Sequence, residues 1–312
     1  MSAKKSHAGM RKPKALRTGD TVAIVAPASP IEKELLDAGC KRLQRMGYRP
    51  LYLPTILNRD LYFAGSVERR ARELEEMSAR DDVRAILCAR GGYGSNYLLE
   101  KLDWKKIKGH PKILVGYSDA TALLTTLVDS GMVVFHGPML TKDFAETDGL
   151  DEFSWQAAVS GERKYQIQNH GALPIIIGKA KGKLYGGCLS ILVASLGTPW
   201  EIRTQGTILF IEDVNTKPFQ IDRMLRQLLL AGKLRGVRGV IFGEMKDCAQ
   251  AGQGYSLPEV ISRVLGDLDI PVAFGFRSGH VSRGNITLPL GVQAKLEVGK
   301  QVTLEILEAA TV

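Results

Sequence analysis

The sequence predicts an α/β protein with a mostly parallel sheet in its N-terminal half and a smaller α+β domain in its C-terminal half. Short, β-branched apolar runs alternate with helical segments as far as about residue 160, which is typical of βαβ units. This alternation is lost over residues 160–182, and the end of the chain is rich in strands. The 312 residues suit roughly two domains. We therefore predict a flexible basic tail at 1–17, an N-terminal domain at 18–165, a linker at 166–182 and a C-terminal domain at 183–312.

In the N-terminal half, the run at 21–26 predicts a buried strand because it is short, apolar and β-branched. Ser29 and Pro30 are typical of a helix start, Glu32 stands at the capping-box position, and the helix should run to Met46. Further strands are predicted at 48–53, 83–88, 113–115 and 132–135, with helices at 67–80 and 121–128. Ligands of parallel sheets bind beyond the C-terminal strand ends, which here carry the loops at 27–30, 90–95, 116–119 and 136–138.

The C-terminal half mixes helices with strands and ends in strands alone. An apolar helix is predicted first, and a strand that begins at Thr207 ends in Glu212 and Asp213. Gly299 and Lys300 form a hairpin turn between the last two strands. Together these predict an α+β domain built on a small barrel or a curled sheet. The predicted helices are 189–196, 219–230 and 257–265, and the other strands are 237–242, 285–288, 292–298 and 301–307.

The net charge of +9 would suit a nucleic-acid-binding protein, but its distribution does not. Residues 1–19 contain six Lys or Arg and no acid, and without those six the net charge is +3. Aromatic residues make up 7% of the chain and do not interleave with basic ones, which disfavours a stacking surface for single strands. We expect no nucleic-acid partner and interpret the basic tail as a solvated extension.

Cysteine spacing and hydropathy exclude several other classes. The four cysteines include no CxxC pair, which excludes a disulfide framework and a zinc ribbon, and no histidine–acid spacing predicts a metal site. No run of 18 apolar residues predicts a membrane span, and the basic N-terminus has no apolar region typical of a signal peptide. We therefore expect a cytoplasmic protein without a membrane partner, metal or cofactor.

Two loops at the predicted ligand-binding edge could carry chemistry. Ser118 lies in the pattern G-x-S-x-A between a strand and a helix, one residue different from the G-x-S-x-G elbow of hydrolases. It is either a helix-capping serine or a nucleophile. The glycine-rich run RGGYG at 90–94 matches neither a dinucleotide fingerprint nor a P-loop. It is either a tight turn or a loop whose N–H groups face a ligand.

Partners for a nucleophilic serine are few. Among five histidines, His136 ends a strand at the same edge as Ser118, and His280 lies in a loop rich in glycine and arginine. Glu212 ends a strand, where an acid is unusual unless it lines a cleft. Ser118, Glu212 and His280 follow the order nucleophile, acid, base that also occurs in α/β-hydrolases. Order alone is weak support, since triads are defined by geometry.

Several motifs, taken together, resemble the LD-carboxypeptidase family, the muramoyl-tetrapeptide carboxypeptidases. Each is weak alone, but the ordered set over residues 16–308 is specific. The motifs are Gly19-Asp20 with VAPAS at 25–29, RGGYG at 90–94, GYSD at 116–119, HGPM at 136–139, GGCL at 186–189, IED at 211–213 with Asp222-Arg223, and Gly279-His280 followed by Asn285, Thr287, Leu288, Pro289 and Gly291.

The resemblance implies a serine peptidase in which Ser118 is the nucleophile, His280 the general base and Glu212 the acid that orients it. It implies a flavodoxin-like N-terminal domain, a barrel-like C-terminal domain, and a site in the cleft between them. The family is cytoplasmic and usually dimeric, so we expect a homodimer. Its substrate is the murein tetrapeptide L-Ala-γ-D-Glu-diaminopimelate-D-Ala, which loses its terminal D-Ala in cell-wall recycling. Lysine in place of diaminopimelate remains open.

For the oxyanion we expect two backbone donors, the N–H of Asp119 and the N–H of Gly92. Two alternatives stay open. One is a related self-immunity peptidase that cleaves peptidyl-nucleotides, in which Trp200 or Tyr255 would stack on a base. The other is a non-catalytic two-domain ligand-binding protein, in which Ser118 and His280 would lie far apart. Four arginines are candidates to bind substrate carboxylates, namely Arg90, Arg223, Arg277 and Arg283.

Overall fold

The computed structural model describes residues 9–167, 169, 171–249, 252 and 254–312. Two sheets with flanking helices form the protein, and one cluster of buried apolar side chains extends through both. The predicted α/β fold with two domains is confirmed. Within the described residues, no helix has the length and apolar character needed to cross a membrane.

The N-terminal sheet has six strands in the order β2-β1-β3-β4-β5-β12. Its first five strands are parallel, in the 2-1-3-4-5 order of flavodoxin-like folds. The strands are β1 (Thr21–Val25), β2 (Arg49–Leu51), β3 (Val83–Cys88), β4 (Ile113–Gly116), β5 (Val134–His136) and β12 (Leu288–Leu290). The helices of this half are α1 (Lys33–Arg45), α2 (Val67–Ala79), α3 (Trp104–Gly109), α4 (Thr121–Asp129) and α5 (Glu152–Val159).

Strand β12 comes from the C-terminal half of the chain but completes the N-terminal sheet. It runs antiparallel to β5, with Leu288 opposite His136. Leu288 and Leu290 are wholly buried there, and Pro289, which has no N–H to donate, is tolerated because β12 is an edge strand. The two halves of the chain are therefore joined by a shared sheet as well as by side-chain packing.

The second sheet has eight strands in the order β6-β14-β13-β8-β9-β10-β11-β7. Strands β8 to β11 are parallel, and the remaining pairs are antiparallel. The strands are β6 (Tyr165–Ile167), β7 (Leu173–Ile176), β8 (Gly178–Cys188), β9 (Thr207–Glu212), β10 (Gly239–Gly243), β11 (Val272–Phe276), β13 (Gln293–Val298) and β14 (Val302–Ile306). The helices are α6 (Leu189–Ala194), α7 (Pro218–Leu230) and α8 (Leu257–Leu265).

The stretch at 166–182, predicted to be a linker, belongs to this sheet. It contains most of β6, all of β7 and the first residues of β8. These strands were not predicted, because β8 begins with lysines that alternate with small residues. One solvated face of the strand produces this pattern. His170, which falls in the predicted linker, lies outside the described residues.

The described part of the predicted flexible tail is packed against the body. Leu16 is buried, its N–H donates to the Val159 carbonyl, and the Ala15 N–H donates to the Val312 carbonyl. Lys12 forms an ion pair with Glu308. The tail prediction was therefore wrong for residues 9–17, because an apolar Ala-Leu pair docks there. Residues 1–8 lie outside the described part.

The predicted helix start at Ser29 was also wrong. Helix α1 begins at Lys33, and Glu32 precedes it without a side-chain capping bond. The Ser29 hydroxyl accepts a hydrogen bond from the Tyr93 N–H at 3.1 Å instead. Ser29 thus fastens the glycine-rich loop after β3 to the loop after β1.

Candidate active site

Ser118 lies at the sharp turn between β4 and α4. It opens a 3-10 turn, Ser118–Ala120, and its φ is +59°, in the left-handed region that costs energy for any residue other than glycine. A Cβ at Gly116 would lie 3.0 Å from both Ala120 Cβ and Cys88 Sγ, so this tight turn favours glycine. A strained serine on a strand–turn–helix connection is the arrangement of a nucleophile elbow.

The glycine-rich loop after β3 packs directly on Ser118, and Gly91 makes the contact. A Cβ at Gly91 would lie 2.9 Å from Ser118 Oγ, whereas a Cβ at Gly92 would clash with Ser29. The backbone N–H groups of Gly92 and Asp119 donate no hydrogen bond to any described residue. Both predicted oxyanion donors are therefore unused in the resting structure, and the neighbouring Gly91 keeps the space beside Ser118 open.

Arg70 of α2 donates hydrogen bonds to three of the loops around this site. Its side chain is wholly buried, and Nη1 donates to the carbonyls of Pro27 (2.7 Å) and Gly94 (2.8 Å). Its Nε donates to the Gly65 carbonyl at 3.3 Å, and the Phe63 ring lies 4.8 Å from the guanidinium carbon. No sequence pattern indicates this role, because Arg70 stands in a helix with many charged residues.

Glu212 and His280 meet at the end of β9. One carboxylate oxygen, Oε2, accepts two hydrogen bonds from His280, from the backbone N–H at 3.0 Å and from Nδ1 at 2.7 Å. Gly279 permits this approach, since a Cβ there would lie 2.6 Å from the Glu212 carboxyl carbon. A proton fixed on Nδ1 leaves Nε2 of the neutral imidazole free to accept a proton.

Glu212 is wholly buried but has a low pKa. Burial by itself raises the pKa of this carboxyl. Charge interaction and hydrogen bonding with His280, together with the nearby His136, outweigh burial, so the pKa of Glu212 lies well below its ordinary value. Glu212 is therefore a carboxylate at neutral pH and can stabilise an imidazolium at His280.

Tyr117 packs against the His280 ring. Its buried ring stands edge-on to the His280 ring, with centroids 5.1 Å apart, and Tyr117 precedes Ser118 in the chain. No hydrogen bond joins Ser118 to His280 among the described residues. Catalytic hydrogen bonds are often long in structures without substrate and shorten when it binds.

A second histidine, His136, contacts the same carboxylate from the other side. It is wholly buried at the end of β5, with Nδ1 2.9 Å from Ser278 Oγ and Nε2 3.9 Å from Glu212 Oε1. Its position at the edge shared with Ser118 could be predicted from the sequence. Its contacts with Glu212 and Ser278 could not, because these partners lie far away in the chain.

Within the described residues, no side chain of the four candidate arginines forms a hydrogen bond or ion pair with Ser118, Glu212 or His280. Arg90, Arg223 and Arg283 are exposed and Arg277 is half-buried. Arg90, which precedes Gly91, donates to the Pro30 carbonyl at 3.3 Å, and Arg223 lies over the Phe219 ring. The described residues also hold no group of three or more His, Cys, Asp or Glu side chains arranged for a metal ion.

A cavity of about 270 Å³ lies between the two halves of the chain, next to Asp119. Tyr93, Asn96 and Trp200 are among its lining residues, and Asp119 is the one charged residue on its described wall. The Asp119 carboxylate accepts the Ser95 N–H at 2.7 Å. The cavity therefore has a mainly apolar and aromatic wall with one carboxylate. Tyr255, the other predicted stacking residue, lines a different cavity with Phe219.

A strained serine on one sheet and a carboxylate-bound histidine from the other define the protein as a two-domain α/β hydrolase. Comparison with known proteins agrees. The LD-carboxypeptidase N-terminal domain family matches residues 22–137, and the LD-carboxypeptidase C-terminal domain family matches residues 181–296. A probable murein peptide carboxypeptidase of Bacillus subtilis (strain 168) is 38% identical over 94% of this chain and 93% of its own.

The names of two further relatives indicate two different functions. The Escherichia coli microcin C7 self-immunity protein MccF is 32% identical over 90% of this chain and 92% of its own. The MccF complex with aspartyl sulfamoyl adenosine has a TM-score of 0.89 and 28% identity in the structural alignment, over 97% of this chain and 100% of its own. A muramoyltetrapeptide carboxypeptidase structure from Oxalobacter formigenes has a TM-score of 0.83 and 29% identity, over 93% and 99%.

The chain belongs to the LD-carboxypeptidase family and is a carboxypeptidase.

Proposed function

We propose that this protein is a serine LD-carboxypeptidase that removes the terminal D-Ala from the murein tetrapeptide L-Ala-γ-D-Glu-diaminopimelate-D-Ala in cell-wall recycling. The observation that carries the proposal is the bond from His280 Nδ1 to Glu212 Oε2, with the His280 ring packed on Tyr117, the chain neighbour of a serine held at a strained elbow. The names of relatives that align over most of the chain support the substrate class.

In the proposed reaction, Ser118 Oγ attacks the carbonyl carbon of the diaminopimelate–D-Ala bond. His280 Nε2 takes the serine proton and then delivers it to the D-Ala amine as the peptide bond breaks. Water then gives a proton to the same nitrogen and attacks the acyl-serine ester, and His280 returns this proton to Ser118 Oγ as the ester bond breaks and the tripeptide leaves. Glu212 holds the imidazole tautomer and stabilises the imidazolium in both halves of the cycle.

The oxyanion of each tetrahedral intermediate needs hydrogen-bond donors. We assign the N–H groups of Asp119 and Gly92 to this role, because neither donates to a described residue and both adjoin Ser118 or its neighbour Gly91. Loss of one such donor costs about 3–4 kcal/mol of transition-state stabilisation in serine hydrolases.

The proposed triad is divided between the two sheets, since Ser118 follows β4 whereas Glu212 and His280 belong to the second half of the chain. Closure of the cleft should therefore complete the site when substrate binds. We also propose that the enzyme acts in the cytoplasm as a homodimer, as the family resemblance implies. All four cysteines are free thiols, which suits a reducing compartment.

The substrate is tested by mass spectrometry of the products. The tetrapeptide is incubated with the enzyme beside two matched peptides, one with lysine in place of diaminopimelate and one pentapeptide ending in D-Ala-D-Ala. We expect tripeptide and free D-Ala from the tetrapeptide, and no cleavage of the D,D bond. No tripeptide from either tetrapeptide would contradict the proposed substrate. Comparing cleavage of the lysine and diaminopimelate tetrapeptides shows which third residue the enzyme accepts.

One observation favours a second candidate function, hydrolysis of peptidyl-nucleotides. Tyr93 and Trp200 line the cavity beside Asp119, which could accept a nucleobase. The likeness to MccF adds to this possibility. Aspartyl sulfamoyl adenosine is the probe. A kcat/KM for its hydrolysis above that for the tetrapeptide would favour the second candidate, and a lower value favours the murein peptide.

A further inference from the structure

His136 connects the two sheets at the centre of the site. Its backbone lies in the N-terminal sheet, opposite Gly116 of β4 on one side and Leu288 of β12 on the other. Its side chain contacts Glu212 and Ser278, which belong to the second half of the chain. The imidazole is wholly buried, so it cannot touch substrate in this structure.

The hydrogen bonds around Ser278 place a proton on Nδ1 of His136. The Ser278 hydroxyl donates to the Ile286 carbonyl at 2.8 Å, and this bond uses its one proton. The contact of 2.9 Å between Ser278 Oγ and His136 Nδ1 must then be donated by the histidine. Nε2 is the nitrogen that remains for Glu212.

Nε2 of His136 and Oε1 of Glu212 face each other with no other partner. The two atoms are 3.9 Å apart, both residues are wholly buried, and neither atom has a hydrogen bond within the described residues. Buried polar atoms are rarely left unpaired, because an unpaired one loses its bonds to water without replacement. A bare Nε2 would also direct its lone pair at a carboxylate. A second proton, on Nε2, makes the His136 ring an imidazolium and directs an N–H at Oε1, so that the ring and the carboxylate form an ion pair.

We propose that His136 is a positioning residue for the Glu212–His280 pair. With a proton on each ring nitrogen, His136 pairs its Nε2–H with Glu212 Oε1, 3.9 Å away, which keeps the other oxygen, Oε2, on His280. This contact holds the Glu212–His280 pair at a fixed position relative to the N-terminal sheet, which carries Ser118. His136 ends β5, and β5 is the direct neighbour of β4. This role rests on the proposed function, because it matters only if Glu212 and His280 act on Ser118.

Two amide substitutions separate the contacts of His136. In His136→Gln the side-chain amide lies near the position of Nε2 and can still donate to Glu212. In His136→Asn it lies near the position of Nδ1 and can donate only toward Ser278. We expect kcat to fall less than about 5-fold in the Gln variant and about 10–100-fold in the Asn variant, with KM within about 3-fold of wild type for both.

The comparison distinguishes positioning from general structural support. If His136 served only to pack the interior, the two variants would have similar kcat and would differ from wild type in thermal unfolding. Thermal unfolding of each variant is therefore measured beside its kinetics. Equal kcat values for His136→Gln and His136→Asn, at equal melting temperatures, would overturn the proposal.

A second measurement needs no substrate and remains valid if the proposed activity is wrong. In protein labelled with ¹⁵N-histidine, the His136 ring resonances are assigned by their loss in His136→Gln. We expect both ring nitrogens of His136 to carry protons and the Nε2 resonance to shift in Glu212→Gln. An unprotonated Nε2, or an Nε2 resonance that does not shift in Glu212→Gln, would overturn the proposal. Absence of D-Ala release with both expected resonances present would reject the proposed function alone.

Discussion

Gly91 packs so closely on Ser118 that a single methyl group at Gly91 would lie 2.8 Å from Ser118 Cβ and 2.9 Å from its hydroxyl oxygen. Real Cβ atoms do not approach side chains this closely, so either the glycine-rich loop or the serine must move. Displacements of about 1 Å at a reacting group can cost about 100-fold in rate.

We therefore expect Gly91→Ala to lower kcat by about 100-fold, measured as D-Ala release at saturating tetrapeptide. Gly109→Ala is the matched control, because a Cβ at Gly109 would meet no atom within 4 Å. The control should keep wild-type kcat. A Gly91→Ala enzyme with wild-type kcat would show that this close contact does not constrain the reacting serine.

Glu212→Gln tests the need for a negative charge behind His280. The amide has nearly the same shape, but its NH₂ group can face Nδ1 and favour the wrong imidazole tautomer. Loss of the corresponding acid in serine proteases costs about 10⁴-fold in kcat, and we expect a loss of at least about 10³-fold here. The measurement is kcat for D-Ala release. A loss below about 10-fold would contradict the assignment of Glu212 as the orienting acid.

Replacing Arg70 by methionine should destabilise the protein as well as the loops at the site. The carbonyls of Pro27, Gly94 and Gly65 would lose their donor in a buried position. We expect the free energy of unfolding to fall by about 2–4 kcal/mol in a denaturant titration. Arg72→Met, on the same helix but exposed, should change it by less than about 0.5 kcal/mol. Equal effects of the two substitutions would disprove the role of Arg70.

Asp143 predicts a pH dependence of stability. It is buried, and burial raises its pKa to about 6, although the Met139 N–H donates to its Oδ2 at 2.8 Å. Because the folded-state pKa exceeds the unfolded one, the stability contributed by this group is complete below about pH 4 and is lost as pH rises through about 6.

The side chain in Asp143→Asn cannot ionise, so the variant should not lose this stability as pH rises. The difference in unfolding free energy between variant and wild type should therefore shift in favour of the variant by about 3 kcal/mol between pH 4 and pH 7.5. The measurement is a denaturant titration of each protein at several pH values across this range. A difference that stays constant with pH would mean that Asp143 does not ionise with a raised pKa.

Local patterns were enough to predict the parallel sheet and the edge that carries the site. Strand 83–88 and helix 257–265 were predicted with the bounds that the structure has, because apolar periodicity and capping residues mark them clearly. The strands at 166–182 were missed because one face of β8 is solvated and rich in lysine. The transfer of β12 to the other sheet depends on long-range packing, which no local pattern reports.

The site was predictable where residue type and turn chemistry carry the signal. Ser118 stands at a strand–helix turn, and Glu212 and His280, predicted as partners, are hydrogen-bonded in the structure. Their catalytic roles stay predictions. The contacts of Arg70 and His136 could not be foreseen, since each joins residues far apart in the chain through a buried side chain.

The central claim is that Ser118 is the nucleophile of a murein-peptide carboxypeptidase. The most direct measurement is the rate of D-Ala release from the tetrapeptide by wild type and by Ser118→Ala, at equal concentrations of folded protein. We predict that wild type produces tripeptide and that the alanine variant loses at least about 10³-fold in rate. Equal rates for the two proteins would contradict the claim.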